Sequence, residues 1–156
     1  MPAPRVGLGF DVHARDDDRE LWLGGVRFDG EPGLAGHSDG DPVCHALADA
    51  LLGGAGLGDL GQHFPEGDPA FAGIAGLELL RRTVAMLAAA GLRPASCDVT
   101  VICDRPPVGP RREEMRGALS GALGLEVAAV SVKATRPEGL GLSGDGAGCL
   151  ALAVLM

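Results

Sequence analysis

Three residues in the N-terminal part of the chain have side chains that commonly hold divalent metals. Asp11 and His13 end a predicted strand over residues 5–10, and residues two apart in a strand point to the same side. His45 lies one turn inside a predicted helix that begins at Pro42. Two histidines and one carboxylate with an open position suit zinc, or another divalent transition metal, acting as a Lewis acid. The alternative is a hydrogen-bonded Asp–His pair that ends a strand, with His45 on the surface.

Two more acidic residues share the predicted helix face with His45. Asp41, His45 and Asp49 follow one another at spacings of four, which places them on one side of a helix. Asp49 could orient the His45 ring as an outer partner of the metal site. Asp41 precedes a proline, as helix caps often do, so ordinary capping is the alternative to a role in the site.

The loop before this helix is a candidate phosphate site. It contains His37 and Ser38. The N-terminus of the following helix offers free N–H groups and a partial positive charge to anions. A metal beside such a helix end would bind phosphate groups well.

Two later segments offer polar groups to a substrate. The turn Gly58-Asp59-Leu60-Gly61 presents a carboxylate that could accept hydrogen bonds from hydroxyl groups, and a plain turn is the alternative. Residues 133–138 have the sequence Lys-Ala-Thr-Arg-Pro-Glu. Lys133 and Arg136 suit phosphate oxygens, and Glu138 could hold a hard cation such as Mg²⁺. A solvated charged turn is the alternative there.

The elements that must position these residues follow from the hydrophobic pattern and the turn residues. Helices are predicted over residues 42–52, 77–90 and 111–123, each followed by glycine. Strands are predicted over residues 5–10, 97–103, 130–134 and 150–155, with a hairpin that pairs residues 21–23 and 26–28. We therefore expect an α+β (mixed α/β) fold with a single four-stranded sheet and helices on one face, in one domain over residues 1–156.

Composition excludes several classes of protein. The net charge of −8 and the 3% aromatic content argue against nucleic-acid binding, which needs a basic face. The four cysteines form no C-x-x-C pair, which favours reduced thiols and a cytoplasmic location over a disulfide framework. The longest apolar run, residues 149–156, is shorter than the ~20 residues that span a bilayer, so no membrane partner is expected.

Taken in order, five motifs resemble the 2-C-methyl-D-erythritol 2,4-cyclodiphosphate synthase family. They are GFDVHA at residues 9–14, GHSDGD at 36–41 followed by His45, LGDLG at 57–61, DVTVI at 98–102 and SVKAT at 131–135. No single motif is decisive, but the ordered set spans residues 5–155 and is highly specific. The resemblance implies a homotrimer with each active site between two subunits.

The resemblance also implies a role for each candidate residue. Zinc would be held by Asp11, His13 and His45, and Mg²⁺ or Mn²⁺ by Glu138, while His37 and Arg136 would act on the phosphate in transfer. The small-molecule substrate would be 4-diphosphocytidyl-2-C-methyl-D-erythritol 2-phosphate. Its binding residues would be Ser38, Asp59, Gly61, Phe64, Asp68, Lys133 and Thr135, with residues 64–68 as a flap. A cytidine pocket from the neighbouring subunit would include Cys103, Pro106, Val108 and Gly109.

The chain departs from the family pattern at three places. Arg136 and Pro137 stand where the family has two threonines, the first of which supplies a hydroxyl to the phosphates. Pro107 stands where a lysine is frequent, and Asp145 replaces an arginine near the trimer axis. These departures favour a second hypothesis, a low-activity homologue that acts as a cytidine-nucleotide-binding or scaffold trimer. A third hypothesis, a purely structural metal, conflicts with having three candidate ligands, because closed structural zinc sites have four.

Overall fold

A five-stranded mixed sheet forms the centre of the molecule. The computed structural model describes residues 3–141 and 145–156. The strand order is β4-β1-β7-β5-β6, and a separate two-stranded hairpin pairs β2 with β3. The strands are β1 (Arg5–Asp16), β2 (Leu21–Leu23), β3 (Val26–Phe28), β4 (Gly33–Leu34), β5 (Pro94–Ile102), β6 (Val130–Thr135) and β7 (Gly146–Leu155).

Four α-helices accompany the sheet. They are α1 (Pro42–Ala55), α2 (Leu60–His63), α3 (Gly76–Ala89) and α4 (Arg112–Leu123), with short 3₁₀ turns at Pro69–Phe71, Gly109–Arg111 and Val127–Ala129. Helix α1 packs on β1 and β7, and α4 packs beside β6. In the part of the chain that the structure describes, no helix combines the length and the apolar character needed to cross a membrane.

The expected α+β class, the hairpin and the placement of helices on one sheet face are confirmed, but the strand count and several bounds were wrong. Strand β1 continues to Asp16 rather than ending at Asp11 and His13, and β7 begins at Gly146 rather than at residue 150, because the two strands pair as far as Ala14 and Gly146. The sheet has five strands rather than four, because the two-residue β4 pairs with the end of β1. Helix α1 continues through Gly53 and Gly54 and ends at Gly56, which adopts a left-handed φ of 73°. Gly54 is retained in the helix because its Cα lies against β1, where an added Cβ would stand 3.0 Å from the Gly7 nitrogen.

The sheet places the ends of three strands at one edge. Strand β7 is antiparallel to both β1 and β5, and β5 is parallel to β6, so β1, β5 and β6 run in the same direction. Asp11 pairs with Cys149, which pairs in turn with Val101. Asp11 therefore lies at the level where β5 and β6 end, with β7 between them.

The two faces of the sheet differ in what covers them. On the inner face of β1, Gly7 and Gly9 are buried against α1. The outer face carries apolar side chains that are 40–65% exposed, namely Val6, Leu8, Phe10, Val12, Leu150 and Leu152. Contiguous apolar surface of this kind marks an interaction site in most proteins.

Candidate active site

A cavity of about 300 Å³ opens beside the carboxyl end of β1. Its walls come from β1, the loop before α1, α1 itself, α2 and the segment that leads to α3. The predicted site residues on its surface are Asp11, His13, His37, Ser38, His45, Asp49, Asp59, Gly61 and Phe64. Sequence positions 11–64 therefore converge on one concave surface, which is the usual form of a small-molecule site.

Close backbone contact between β1 and α1 brings the metal candidates together. Asp11 and His13 project from the inner face of β1, toward the helix that carries His45. A Cβ at Gly9 would lie 1.8 Å from the Ala46 carbonyl oxygen, so only glycine permits this helix to lie against the strand. The glycine at every second position of the strand was the sequence signal for this approach, and it precedes the two ligand candidates on the same face.

Three ligand atoms face one another at the bottom of the cavity. Asp11 Oδ2 lies 2.6 Å from His13 Nε2 and 3.3 Å from His45 Nδ1. The two imidazole nitrogens are 3.1 Å apart. These three residues form a group that could hold a metal ion, and the His45 side chain is 8% exposed.

The hydrogen bonds behind the rings leave the facing nitrogens free for a cation. His13 Nδ1 lies 2.6 Å from the Ala35 carbonyl, which can only accept, so Nδ1 is the donor and Nε2 carries the lone pair in the neutral ring. His45 Nε2 lies 2.7 Å from Ser38 Oγ, leaving Nδ1 toward Asp11. Asp11 Oδ2 is buried and accepts no hydrogen bond of ordinary geometry. A buried carboxylate oxygen without a donor, beside two imidazole lone pairs, fits a bound divalent cation.

The same contacts shift the acidities of two candidate ligands. Burial raises the pKa of Asp11, but the neighbouring His13 and His45 more than offset this, so its pKa is below the ordinary value. Burial lowers the pKa of His13, but Asp11 outweighs that effect and raises it above the ordinary value. Protons and a metal cation would therefore compete for these atoms.

The two outer carboxylates have roles different from the expected one. Asp49 lines the cavity, but its Oδ1 accepts a hydrogen bond of 2.7 Å from the Leu60 nitrogen and so fixes the start of α2. Ser38, not Asp49, is the side chain that contacts the far nitrogen of His45. Asp41 is fully buried and caps α1, and it also accepts hydrogen bonds from the Gly24 and Gly25 nitrogens. The Asp41 carboxylate thus joins the hairpin to the helix, and Asp41 contacts His45 through the helical hydrogen bond of 3.2 Å from the His45 nitrogen to the Asp41 carbonyl.

The wall opposite the metal candidates is formed by α2 and the segment after it. Asp59 caps α2 through a capping box with Gln62, while Gly61 and Phe64 lie on the cavity surface. Asp68 does not line the cavity, and its side chain caps the Pro69–Phe71 turn. Its carbonyl oxygen lies 2.8 Å from His37 Nε2, so His37 is tied to the predicted flap.

Sequence reasoning missed part of the apolar lining. Leu60, Phe71, Ile74 and Leu79 also form the cavity wall, and Glu66 of the predicted flap adds a carboxylate to it. Phe71 packs edge-on against Phe64 with ring centroids 5.2 Å apart. In a chain with four phenylalanines, two within eight residues was the available signal.

The remaining predicted site residues lie elsewhere in the chain. Among the described residues that line the cavity there is none from the following set: Cys103, Pro106, Val108, Gly109, Lys133, Thr135, Arg136 and Glu138. The Cys103 nitrogen donates to the Thr135 carbonyl at 3.2 Å, so the predicted cytidine loop and the end of β6 are adjacent. Lys133 departs from its expected role, because its Nζ pairs with Asp98 Oδ2 at 2.7 Å on the outer sheet face.

Comparisons with known proteins agree with this geometry. A bifunctional enzyme IspD/IspF of Anaeromyxobacter sp. (strain Fw109-5) is 52% identical over 97% of this chain, which spans 39% of that protein. A 2-C-methyl-D-erythritol 2,4-cyclodiphosphate synthase of Symbiobacterium thermophilum is 50% identical over 97% of this chain and 96% of its own length. A solved structure of a synthase of the same name, in its CDP-bound form, has a TM-score of 0.89 at 34% identity and covers 97% of this chain and 100% of that one.

The family assignment follows from the extent of these matches. A sequence model of the YgbB family matches residues 4–156, which includes the three metal candidates, the cavity wall and all strands of the main sheet. The chain belongs to the YgbB family, together with relatives named 2-C-methyl-D-erythritol 2,4-cyclodiphosphate synthase.

Proposed function

We propose that this chain is a phosphorus–oxygen lyase of isoprenoid precursor biosynthesis, in the non-mevalonate pathway. It converts 4-diphosphocytidyl-2-C-methyl-D-erythritol 2-phosphate to 2-C-methyl-D-erythritol 2,4-cyclodiphosphate and releases CMP. The observation that carries the proposal is the convergence of Asp11, His13 and His45 on the wall of a cavity that also presents Asp59 and Gly61. Relatives at about half identity over nearly the whole chain bear the name of this activity.

The two metal sites would supply positive charge to the phosphate groups, which carry the negative charge of the substrate. Asp11 Oδ2, His13 Nε2 and His45 Nδ1 would hold Zn²⁺ or another divalent transition metal, and Glu138 would help to bind Mg²⁺ or Mn²⁺. When bound, these cations polarise the β-phosphate and offset the charge of the α- and β-phosphates. The Ala35 carbonyl favours the His13 tautomer that this role requires, and Ser38 orients the His45 ring.

The cavity wall orients the other end of the substrate. Asp59 and Gly61 line the cavity and would accept hydrogen bonds from the erythritol hydroxyl groups, and Phe64 with Phe71 forms an apolar side. His37 and Ser38 stand between this wall and the metal candidates. His37 would position the phosphate group that is being transferred. It would do so either through Nε2, after this atom has given up its contact with the Asp68 carbonyl, or through Nδ1.

The reaction needs positioning more than it needs a protein nucleophile. An oxygen of the 2-phosphate attacks the β-phosphorus, the bond from that phosphorus to the bridging oxygen breaks, and CMP leaves with that oxygen. No water is consumed, and both reacting groups belong to one molecule. Holding such groups in reactive geometry can lower a barrier by ~7–11 kcal/mol, and the concave wall of this cavity is suited to hold them.

The part of the site that binds the nucleotide would come from a second copy of the chain. Within one chain, none of the described cavity-lining residues comes from the set Cys103, Pro106, Val108, Gly109 and Thr135. A homotrimer with sites between subunits would bring them to a neighbouring cavity. The exposed apolar outer face of β1 and β7 supports such an assembly, because burying it would stabilise the contact by roughly 25 cal/mol per Å². Light scattering should give a mass three times the 15.8 kDa of the chain.

The decisive experiment is turnover of the cytidine-linked substrate by purified protein with Zn²⁺ and Mg²⁺. CMP and the cyclic diphosphate should appear together and in equal amounts. CMP without the cyclic product would indicate hydrolysis and would contradict the proposal. A matched reaction with metal-depleted protein should yield neither product.

A second candidate function is supported by the phosphate segment. Arg136 and Pro137 replace two threonines of the family pattern, and proline removes a backbone donor. If the protein binds CDP but forms neither product, it is a cytidine-nucleotide-binding or scaffold trimer.

A further inference from the structure

We propose that Arg19 is a positioning residue that sets the geometry of His37 and Ser38, and through Ser38 that of His45. Neither Arg19 nor its turn belongs to the five motifs or to the cavity wall described above. The effect on turnover rests on the proposed function, whereas the effect on metal binding can be measured without it.

The guanidinium of Arg19 forms hydrogen bonds with the backbone on both sides of His37. Its Nη1 donates to the Gly36 carbonyl and its Nη2 donates to the Ser38 carbonyl. Arginine is suited to this contact because its two terminal nitrogens form a rigid planar fork that can meet two acceptors at once. The pair of bonds fixes the distance between the carbonyls that flank His37, and so restricts rotation of that backbone segment.

The backbone of Arg19 is itself firmly placed. Its nitrogen donates to the Asp16 carbonyl at 3.2 Å, at the turn that follows β1. Its carbonyl oxygen lies so close to β4 that a Cβ at Gly33 would stand 2.4 Å away. The guanidinium therefore projects from a backbone position that is held by both β1 and β4, and it can hold the loop at a fixed distance from these strands.

The loop is also held from its other side. The Gly73 nitrogen donates to the His37 carbonyl at 2.8 Å, and the Asp39 nitrogen donates to the Ile74 carbonyl at 3.1 Å. These bonds connect the loop to the segment that closes the cavity, whereas Arg19 connects it to the strand that carries Asp11 and His13. Loss of Arg19 would leave the Gly36 and Ser38 carbonyls without this connection to the end of β1.

The consequence for the metal centre runs through Ser38. Ser38 Oγ lies 2.7 Å from His45 Nε2, so a shift of the Ser38 backbone moves the group that holds the ring. His37 would move with the Ser38 backbone, because His37 lies between the two carbonyls that Arg19 contacts. Arg19 thus acts on a phosphate-positioning residue and on a metal ligand, while touching neither side chain.

The surroundings of Arg19 permit a chemical rescue. Arg19 lines a separate cavity of about 390 Å³ that Trp22 and Asp39 also line. Replacing Arg19 by alanine would add the volume of the lost side chain to this space. A free guanidinium ion could enter it and restore the two hydrogen bonds.

The test compares Arg19→Ala with Arg27→Ala, an arginine whose side chain pairs with Glu20 and Asp29 at the surface. Arg19→Ala should lower kcat by about 10- to 100-fold, as misplacement of reacting groups does, with KM changed less. With Co²⁺ as the probe, the Kd should rise roughly 3- to 10-fold, less than for a residue that contacts a ligand directly. Guanidinium chloride at millimolar concentration should restore part of the lost kcat and part of the lost Co²⁺ affinity. Arg27→Ala should match wild type and show no rescue.

Several outcomes would overturn the proposal. Wild-type kcat and Co²⁺ affinity in Arg19→Ala would do so, as would a loss that guanidinium does not relieve although the variant melts at the wild-type temperature. If Arg19→Ala does not fold, Arg19→Lys decides, since one ammonium cannot span both carbonyls and an intermediate loss is expected, whereas full activity would refute the role. If the wild type forms no product, the proposed function fails, and the Co²⁺ series still tests Arg19.

Discussion

The hydroxyl oxygen of Ser38 lies 2.7 Å from Nε2 of His45, on the side of the ring that faces away from Asp11 and His13. Ser38 Oγ also accepts a hydrogen bond of 3.3 Å from the Gly40 nitrogen, so the hydroxyl is held from the loop. One small side chain therefore connects the candidate phosphate loop to a candidate metal ligand. This contact gives Ser38 a second role beyond contact with substrate, because it orients the imidazole.

Replacing Ser38 with alanine should weaken metal binding without unfolding the protein. The His45 ring would lose the hydrogen-bond partner that orients it, and such losses typically cost 10–100-fold in affinity, so we expect the Co²⁺ Kd to rise roughly 10-fold. Titration of metal-free protein with Co²⁺, followed by absorption, measures this. Ser120→Ala is the matched control, because in the described part of the chain Ser120 Oγ donates to the Gly117 carbonyl of its own helix and has no contact with the candidate site. An unchanged Kd in Ser38→Ala would show that the ring is oriented in another way.

Replacing His45 with alanine should abolish both metal binding and activity. The site would retain Asp11 and His13, and two ligands do not make a stable site for zinc, which takes at least three from proteins. Metal content after dialysis and turnover of the cytidine-linked substrate are the measurements. His63→Ala serves as control, because His63 lies outside the group and contacts the Leu57 carbonyl. Turnover by metal-free His45→Ala would exclude the proposed role of the metal.

The sequence was sufficient to predict which three residues approach one another, because that grouping depends on two simple periodicities. Alternation in β1 places Asp11 and His13 on one face, and a helix beginning at Pro42 places His45 one turn inside. The partner of His45 could not be obtained this way. The spacing of four correctly directs Asp49 toward the cavity, but the Leu60 nitrogen occupies its carboxylate. The Leu60 nitrogen and the His45 ring compete for the Asp49 carboxylate, and this is a tertiary effect that residue spacing within one helix cannot predict.

The rest of the site could not be predicted for a related reason. Glycines at 53 and 54 indicate a helix end locally, yet packing against β1 extends the helix beyond them. The residues of the cytidine loop and Glu138 share no cavity with Asp11 in the described part of one chain, so spacing could not have joined them. The second subunit was expected from the family resemblance alone, and the light-scattering measurement of the mass tests that expectation.

Replacing Arg136 with threonine should not reduce activity. The change restores the hydroxyl that the family pattern has at this position, and Arg136 is exposed, so its loss leaves no buried partner unsatisfied. The kcat of Arg136→Thr should equal or exceed that of the wild type under saturating substrate and both metals. Arg112→Thr, at an exposed helix start, controls for removal of a positive charge. A large loss in Arg136→Thr alone would show that the guanidinium has become essential to phosphate transfer in this chain.

Replacing Gly9 with alanine should separate α1 from β1 and thereby disturb the metal site. A Cβ at Gly9 would meet the Ala46 carbonyl oxygen at 1.8 Å, and both partners are backbone atoms that no side-chain rotation can relieve. Overpacking of this kind costs typically ~1–3 kcal/mol of unfolding free energy, and the shift should also weaken Co²⁺ binding through His45. Gly53→Ala, in the same helix but with open space around its Cα, should instead stabilise the protein by about 0.5–1 kcal/mol and leave Co²⁺ affinity unchanged. Urea unfolding and Co²⁺ titration of the two variants measure both effects. Equal stability of the two would mean that helix and strand can move apart at no cost, and that the glycines of β1 do not set the position of His45.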